Sequence, residues 1–200
     1  MKHAIIGFGS VGQALARAFA RKGLEVAVAT AKAPNTLASA AAAIGPTVIP
    51  KSLTEALEAD VVLLAVPYWS HRDVAKATPT WHDKIVIDIT NAFNVAVDDL
   101  EGLPSSAVIA RALPGAKLVK AFNHLPAKTL GADPDVGGGR RVVFVSSDDE
   151  SAAGEVAALA KELGFAPINL GPLAEGGTLV QARGSSWAPL IFQDLLKRDV

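Results

Sequence analysis

Cysteine is absent from all 200 residues. The chain therefore has neither a disulfide framework nor a thiolate nucleophile, and a reducing, cytoplasmic address is the expectation. An excess of charge of either sign is missing as well. Nineteen Lys+Arg against twenty Asp+Glu leave a formal net charge of −1, so the bulk electrostatics offer nucleic acid no general attraction. The four histidines, His3, His71, His82 and His124, show no pairing of the H-E-x-x-H kind, and no metal site is expected. Long hydrophobic runs are lacking too. The longest strongly apolar stretch, residues 61–66, falls far short of the ~20 residues that a membrane span needs. Met1-Lys2-His3 leads directly into a short apolar strand and then glycines, without the apolar block and small-residue cleavage site of a signal peptide. The expectation is a soluble chain with no membrane partner.

Half of the residues are apolar and a fifth charged, which suits one well-buried α/β domain but leaves no room for a second full domain. Short β-branched runs alternate with alanine-rich helical segments, the pattern of a mostly parallel sheet covered by helices on both faces. Strands are expected at residues 3–7, 24–30, 47–50, 60–66, 84–90, 117–122, 141–147 and 165–170. Helices are expected after the first glycines and at 36–44, 104–113 and 151–163. In the first helix Val11, Leu15, Ala18 and Phe19 share one face, and in the last Val156, Leu159, Ala160 and Leu163 do so. Ser52-Leu53-Thr54-Glu55 matches a capping box. No repeat, low-complexity tail or linker interrupts the chain, so residues 1–200 read as one doubly wound domain with a C-terminal cap segment at 171–200. The apolar face expected there, with Trp187, Leu190, Ile191, Leu195 and Leu196, serves either internal packing or contact with a second copy of the chain, which would make a homodimer.

Gly7-Phe8-Gly9-Ser10-Val11-Gly12 is a G-x-G-x-x-G run set between the first strand and the first helix. That position turns a weak motif into a dinucleotide-binding signature: one glycine for the tight turn, one for approach of a pyrophosphate, one for packing of helix on strand. Near the end of the second strand, where NAD-preferring sites hold a carboxylate for the ribose, stand Ala29-Thr30-Ala31-Lys32. A hydroxyl and an ammonium suit a 2′-phosphate, so NADP(H) is the expected cofactor. Ala65-Val66-Pro67 ends the fourth strand and Asn91 follows the fifth; both are expected beside the nicotinamide. Asn91 either bonds the ribose or carboxamide or closes its own turn. Trp69, next to Tyr68 after the proline, is a candidate to stack near that pocket.

Taken together, the glycine run, Thr30-Ala31-Lys32, Ala65-Val66-Pro67, the segment Lys120-Ala121-Phe122-Asn123-His124-Leu125-Pro126 and Gly171-Pro172-Leu173 resemble the NADP-dependent oxidoreductases that reduce a deazaflavin coenzyme. The related domain forms the cytosolic part of transmembrane ferric reductases. The resemblance spans nearly the whole chain. It implies a small Rossmann domain passing hydride between nicotinamide and a second flat redox ring, deazaflavin or flavin, held by the late strand-end loops and the cap. It also implies NADP contacts from Phe8, Ser10, Val11, Thr30, Lys32 and Pro67, and acceptor contacts from Asn123, His124, Leu125 and Pro126. Where the deazaflavin reductases carry His-Thr-Ile-Pro, this chain has Asn123-His124-Leu125-Pro126, nearer to the ferric-reductase form.

Hydride transfer between stacked rings asks chiefly for alignment, with one proton to reach or leave the acceptor. His124, whose unperturbed pKa lies near neutrality, is the candidate acid or base. Two rival readings remain at the level of sequence. A reductase of small carbonyl or imine compounds needs a proton donor, for which His71, Lys120 and His124 offer no recognisable spacing. A sensor, or a subunit that binds NADP(H) without catalysis, needs only the fold.

Overall fold

A strand covered on both faces reads as a nearly continuous apolar run, and three of the strands, at Val61–Leu64, Ile85–Asp88 and Val142–Ser147, are buried along their whole length. The computed structural model describes residues 1–96, 98–182, 190 and 192–193. In chain order these form β1 (His3–Ile6), α1 (Ser10–Arg21), β2 (Val26–Ala29), α2 (Ala38–Ile44), β3 (Val48–Pro50), α3 (Leu53–Ala56) and β4 (Val61–Leu64). There follow α4 (His71–Lys76), β5 (Ile85–Asp88), α5 (Ser105–Ala112), β6 (Lys117–Ala121), α6 (Ala127–Gly131), β7 (Asp135–Val136), β8 (Gly139–Arg140), β9 (Val142–Ser147), α7 (Glu150–Glu162), β10 (Ala166–Asn169) and α8 (Thr178–Val180). Eight strands pair in the order β10-β9-β6-β5-β4-β1-β2-β3, and β7 and β8 make a separate hairpin. The strand order reverses between β1 and β4, where a doubly wound sheet opens a crevice at its carboxyl edge.

The pleat divides the core in two. Ile5, Leu63, Ile87 and Val119 pack with α1 and α7, whereas Ile6, Val62, Val86 and Leu118 pack with α3, α4 and α5. Register aligns the first set across the sheet: Ile5 lies beside Leu63, Leu63 beside Ile87, Ile87 beside Val119. The expected face of α1 is in place, with Leu15, Ala18 and Phe19 buried and Val11 packed against them. The capping box at Ser52 is formed in both directions, Glu55 donating its amide to the serine Oγ and accepting the Ser52 amide at 2.9 Å.

One direction departs from an all-parallel pattern. β9 pairs antiparallel with β6, while β10 is parallel to β9. The cause is the connection after β6. A parallel crossover needs a helix long enough to bring the chain back to the other end of the sheet, and α6 has five residues, only about 7.5 Å of rise. The chain stays at the carboxyl edge and β9 enters from there. The closing helix expected beyond residue 186 lies outside the described residues, apart from Leu190, which is exposed. Nearby, Phe192 packs on Phe144 with ring centroids 5.2 Å apart, and the Val142 amide donates to its carbonyl at 2.9 Å.

Candidate functional site

The loop from Gly7 to Gly12 is shaped by contacts that only glycine permits. Gly7 has φ +102° and lies against β4: a Cβ there would stand 2.2 Å from the Ala65 carbonyl oxygen. At Gly12 a Cβ would stand 1.9 Å from the Gly7 carbonyl oxygen, so this residue seats α1 on the turn. Gly9 differs from both, for a Cβ added to it would meet nothing within 4 Å. The open space lies at the N-terminus of α1, whose first turn has no side-chain cap and no acidic residue. Uncapped amides, the positive end of the helix dipole and room for an incoming group together form a cradle that fits a pyrophosphate. Ser10 is exposed there, Val11 half-buried and Phe8 buried.

At the end of β2 the Lys32 amide donates to Thr30 Oγ1 at 3.1 Å. That bond uses an oxygen lone pair and leaves the Thr30 hydroxyl proton to donate outward. Ala31 and Lys32 are exposed, and Lys32 makes no ion pair among the described residues. The electrostatics at this corner favour a phosphate.

On the other side of the crevice stand the carboxyl ends of β4, β5 and β6. Ala65 and Val66 are half-buried and Pro67 is exposed. Asn91 does not close its own turn. Its Nδ2 donates to the Asn123 carbonyl at 2.8 Å, and its Oδ1 accepts from Asn123 Nδ2 at 3.1 Å. The second amide hydrogen of Asn123 goes to the Val180 carbonyl at 2.8 Å, leaving Asn123 Oδ1 buried without a partner. A buried acceptor of this kind needs a donor from water or ligand. Asn123 is set in place by Phe122, which takes φ +61° and turns the chain sharply out of β6. Leu125 is buried and Pro126 exposed at the start of α6. The cap is fastened at both edges: here Ser105 donates its amide to Gln181 at 3.1 Å, and at the opposite edge, beside the start of β6, the Leu173 amide donates to Asp148 at 2.9 Å.

His124 is withdrawn from solvent. Its Nε2 lies 3.3 Å from the Val142 carbonyl, its ring 4.9 Å from that of Phe144, and Nδ1 is buried with no partner. Burial pushes its pKa down to about 4, only partly opposed by the Val142 bond. At neutral pH the ring is therefore an uncharged imidazole whose Nε2 hydrogen is engaged. Trp69 is half-buried with the Arg72 guanidinium 4.0 Å above its ring. Trp81 belongs to the core, its Nε1 donating to Ala75, and Trp187 lies outside the described residues. His71 bonds the Tyr68 carbonyl and is buried, which lowers its pKa.

Directly beneath these loops lies a buried pair of which the sequence offered only Lys120, as one of three candidate proton donors, and not Asp88. Asp88 and Lys120 are both 0% exposed and their side chains meet at 2.9 Å. Asp88 Oδ1 accepts the Thr90 amide and hydroxyl, Oδ2 accepts Ser106, and Lys120 also donates to the Thr90 carbonyl at 2.6 Å. A signal existed: one acid closes the apolar run Ile85-Val86-Ile87, and one base interrupts Leu118-Val119-Ala121 on the adjoining strand.

The switch-point crevice, glycine cradle and phosphate corner define the class: an α/β dinucleotide-binding fold of the kind that serves nicotinamide-dependent reductases. Comparison with known proteins narrows it. Residues 2–92 match the family of coenzyme F420-dependent NADP oxidoreductases. A solved structure of a hypothetical protein from Sinorhizobium meliloti is 41% identical, with a TM-score of 0.91 over 97% of this chain and 96% of that one. An Arthrobacter sp. FB24 protein assigned as an F420-dependent NADP-reductase is 31% identical, with a TM-score of 0.74 over 86% of each chain. The rat metalloreductase STEAP3 is 27% identical over 176 residues; this chain spans 34% of its length. The chain belongs to the family of F420-dependent NADP oxidoreductases and is an NADP-dependent oxidoreductase. Among the described residues no helix is long and apolar enough to cross a membrane, and no group of three His, Asp or Glu is placed to hold a metal ion.

Proposed function

We propose that the protein transfers hydride between NADPH and a flat redox ring, a deazaflavin or a flavin. The observation that carries this reading is the state of the titratable side chains at the carboxyl ends of β5 and β6. Lys120 is sealed against Asp88, and His124 is neutral and bonded to Val142. Reduction of a small carbonyl or imine needs a side chain that hands over a proton, and neither group is free to do so. A ring acceptor needs alignment and exclusion of water, with solvent supplying the proton; His124 then serves as a wall and an acceptor rather than as the acid or base.

NADPH supplies the hydride when bound. In this reading the Gly9 cradle with Phe8, Ser10 and Val11 holds the pyrophosphate, while Thr30, Ala31 and Lys32 take the 2′-phosphate. Ala65, Val66, Pro67 and Asn91 border the nicotinamide. The buried Asn123 Oδ1 supplies an acceptor for a carboxamide or ring N–H. Asn123, His124, Leu125 and Pro126 wall the second ring, and the part of the cap that carries Val180 and Gln181 closes over it. Residues 1–200 act as one domain in the cytoplasm, and a second copy of the chain completes the outer wall.

The experiment follows NADPH oxidation against FMN, FAD, the deazaflavin coenzyme, ferric chelates, and a set of small ketones and imines. Turnover is expected with the ring acceptors, and with ferric chelates only when a flavin is added. Efficient ketone or imine reduction would overturn the proposal, and tight NADPH binding with no turnover at all would favour a sensor.

A further inference from the structure

We propose that Lys120 is a positioning residue for the nicotinamide end of the site, acting with Asp88 through the Thr90 peptide. The inference rests on the reading above that the nicotinamide lies at this edge. Every polar group of Thr90 is engaged by the pair. Its amide and hydroxyl donate to Asp88 Oδ1 at 2.9 and 2.8 Å, and its carbonyl accepts from Lys120 Nζ at 2.6 Å. The next residue is Asn91, which exchanges two hydrogen bonds with Asn123, and Asn123 in turn holds the Val180 carbonyl of the cap. A continuous chain of bonds thus runs from the buried charges to the strand-end loops and the cap. Ser106 Oγ, 2.8 Å from Asp88 Oδ2, ties α5 into it.

Stability alone does not account for such a pair. Two charges taken wholly out of water stabilise a fold no better than apolar side chains of the same volume. What Lys120 adds that an apolar residue cannot is a donor for the Thr90 carbonyl, at the point where the chain leaves β5. Fixing that peptide fixes the direction in which Asn91 departs, and small misplacements at a hydride-transfer site are costly in rate.

The test compares wild type with Lys120→Met and with the neutral double variant Asp88→Asn/Lys120→Met. The double variant keeps an acceptor oxygen for the Thr90 amide and hydroxyl, reverses the Ser106 bond so that the new amide donates to Ser106 Oγ, and lacks the donor to the Thr90 carbonyl. Lys120→Met leaves a carboxylate buried and unpaired, so its Tm is expected to fall by about 10 °C, and the double variant is expected to recover most of that. Three further quantities are read below the transition temperature: the Kd for NADPH, the fluorescence of bound NADPH, and kcat with the best ring acceptor. Both variants are expected to bind NADPH within about threefold of wild type, because its phosphates are held elsewhere. Both should shift the bound nicotinamide emission towards that of free NADPH and lose roughly tenfold or more in kcat. A double variant that recovers emission and kcat along with Tm would overturn the proposal and leave the pair a support of the fold only. If the wild type turns over no acceptor, the functional reading fails, and the emission measurement still decides the role of Lys120.

Discussion

The three glycines of the first loop are constrained for different physical reasons, so replacing each by alanine should separate folding from binding. Gly12→Ala gains up to about 1 kcal/mol of helix propensity. It also drives a Cβ to 1.9 Å from the Gly7 carbonyl oxygen, a backbone atom with no flexible end to yield. Separating α1 from the turn outweighs the gain, for a net loss of about 3 kcal/mol and a Tm lower by roughly 6–12 °C in a chain of this size. Gly9→Ala is the opposite case. Its φ of −76° and ψ of −163° suit any L-residue, and the new methyl meets nothing. The folded protein should be as stable as wild type, or up to about 1 kcal/mol more so through the unfolded chain. The methyl fills the pyrophosphate cradle, and losing charge-assisted bonds worth about 1.5–3 kcal/mol weakens NADPH roughly 10- to 100-fold. Thermal shift reads both effects. At NADPH about 100 times the wild-type Kd, wild type gains about 2.7 kcal/mol, whereas a variant weakened 100-fold gains about 0.4 kcal/mol. A Gly9→Ala protein that binds NADPH like wild type, with Tm unchanged, would refute the placement of the pyrophosphate.

Lys32→Ala should weaken NADPH about tenfold, with NADH unaffected and the difference shrinking as salt rises; equal loss for both cofactors in a titration would remove Lys32 from the 2′-phosphate. His124 governs an acid limb of stability. Its pKa is depressed in the folded state, so the unfolded chain binds the proton more readily, and stability is lost as pH falls from about 6.5 towards 4, by up to about 3 kcal/mol. His124→Gln, whose amide can still donate to Val142, should flatten that limb in denaturation curves at pH 7 and pH 4.5; an unchanged slope would show the ring to be accessible. The same variant should keep the shape of its kcat profile between pH 6 and 9, since the wild-type ring stays neutral there, and a lost limb would restore His124 as acid or base. Ser52→Ala should cost about 1 kcal/mol in denaturant unfolding by opening the capping box, with no change in NADPH affinity.

The nucleotide half of the molecule was plain in the sequence because its chemistry is local. A strand, three glycines and a helix start lie within twenty residues, and Thr30 and Lys32 follow β2 directly. Elements were legible for a related reason: runs such as Val61–Leu64 are apolar at every position because they are covered on both faces. An apolar run carries no arrow, however, and β9 reads the same in either direction, so its antiparallel pairing was hidden. The segment Tyr68–Lys76 went unread as helix, because its first turn is a tight one over Tyr68-Trp69-Ser70 with mixed polarity. The second half of the site depends on partners far apart in sequence. Asp88 meets Lys120 across 32 positions and Asn123 meets Val180 across 57. For His124 the residue type suggested a proton carrier, and only tertiary burial shows a neutral ring.

The reversed direction of β9 divides the molecule's freedom to change. Because β9 enters the sheet beside the end of β6, the chain before it needs no crossover helix: α6 packs on α1, with Leu130 in the core and Gly131 against Ala14, while the short β7–β8 hairpin is mostly exposed. Residues can be inserted, removed or exchanged in the hairpin without displacing a packed helix, whereas changes in α6 press on α1 and, through it, on the cradle at Gly7–Gly12. The hairpin at 135–140 is thus where the chain can change length at least cost to the fold, and α6 is where it cannot.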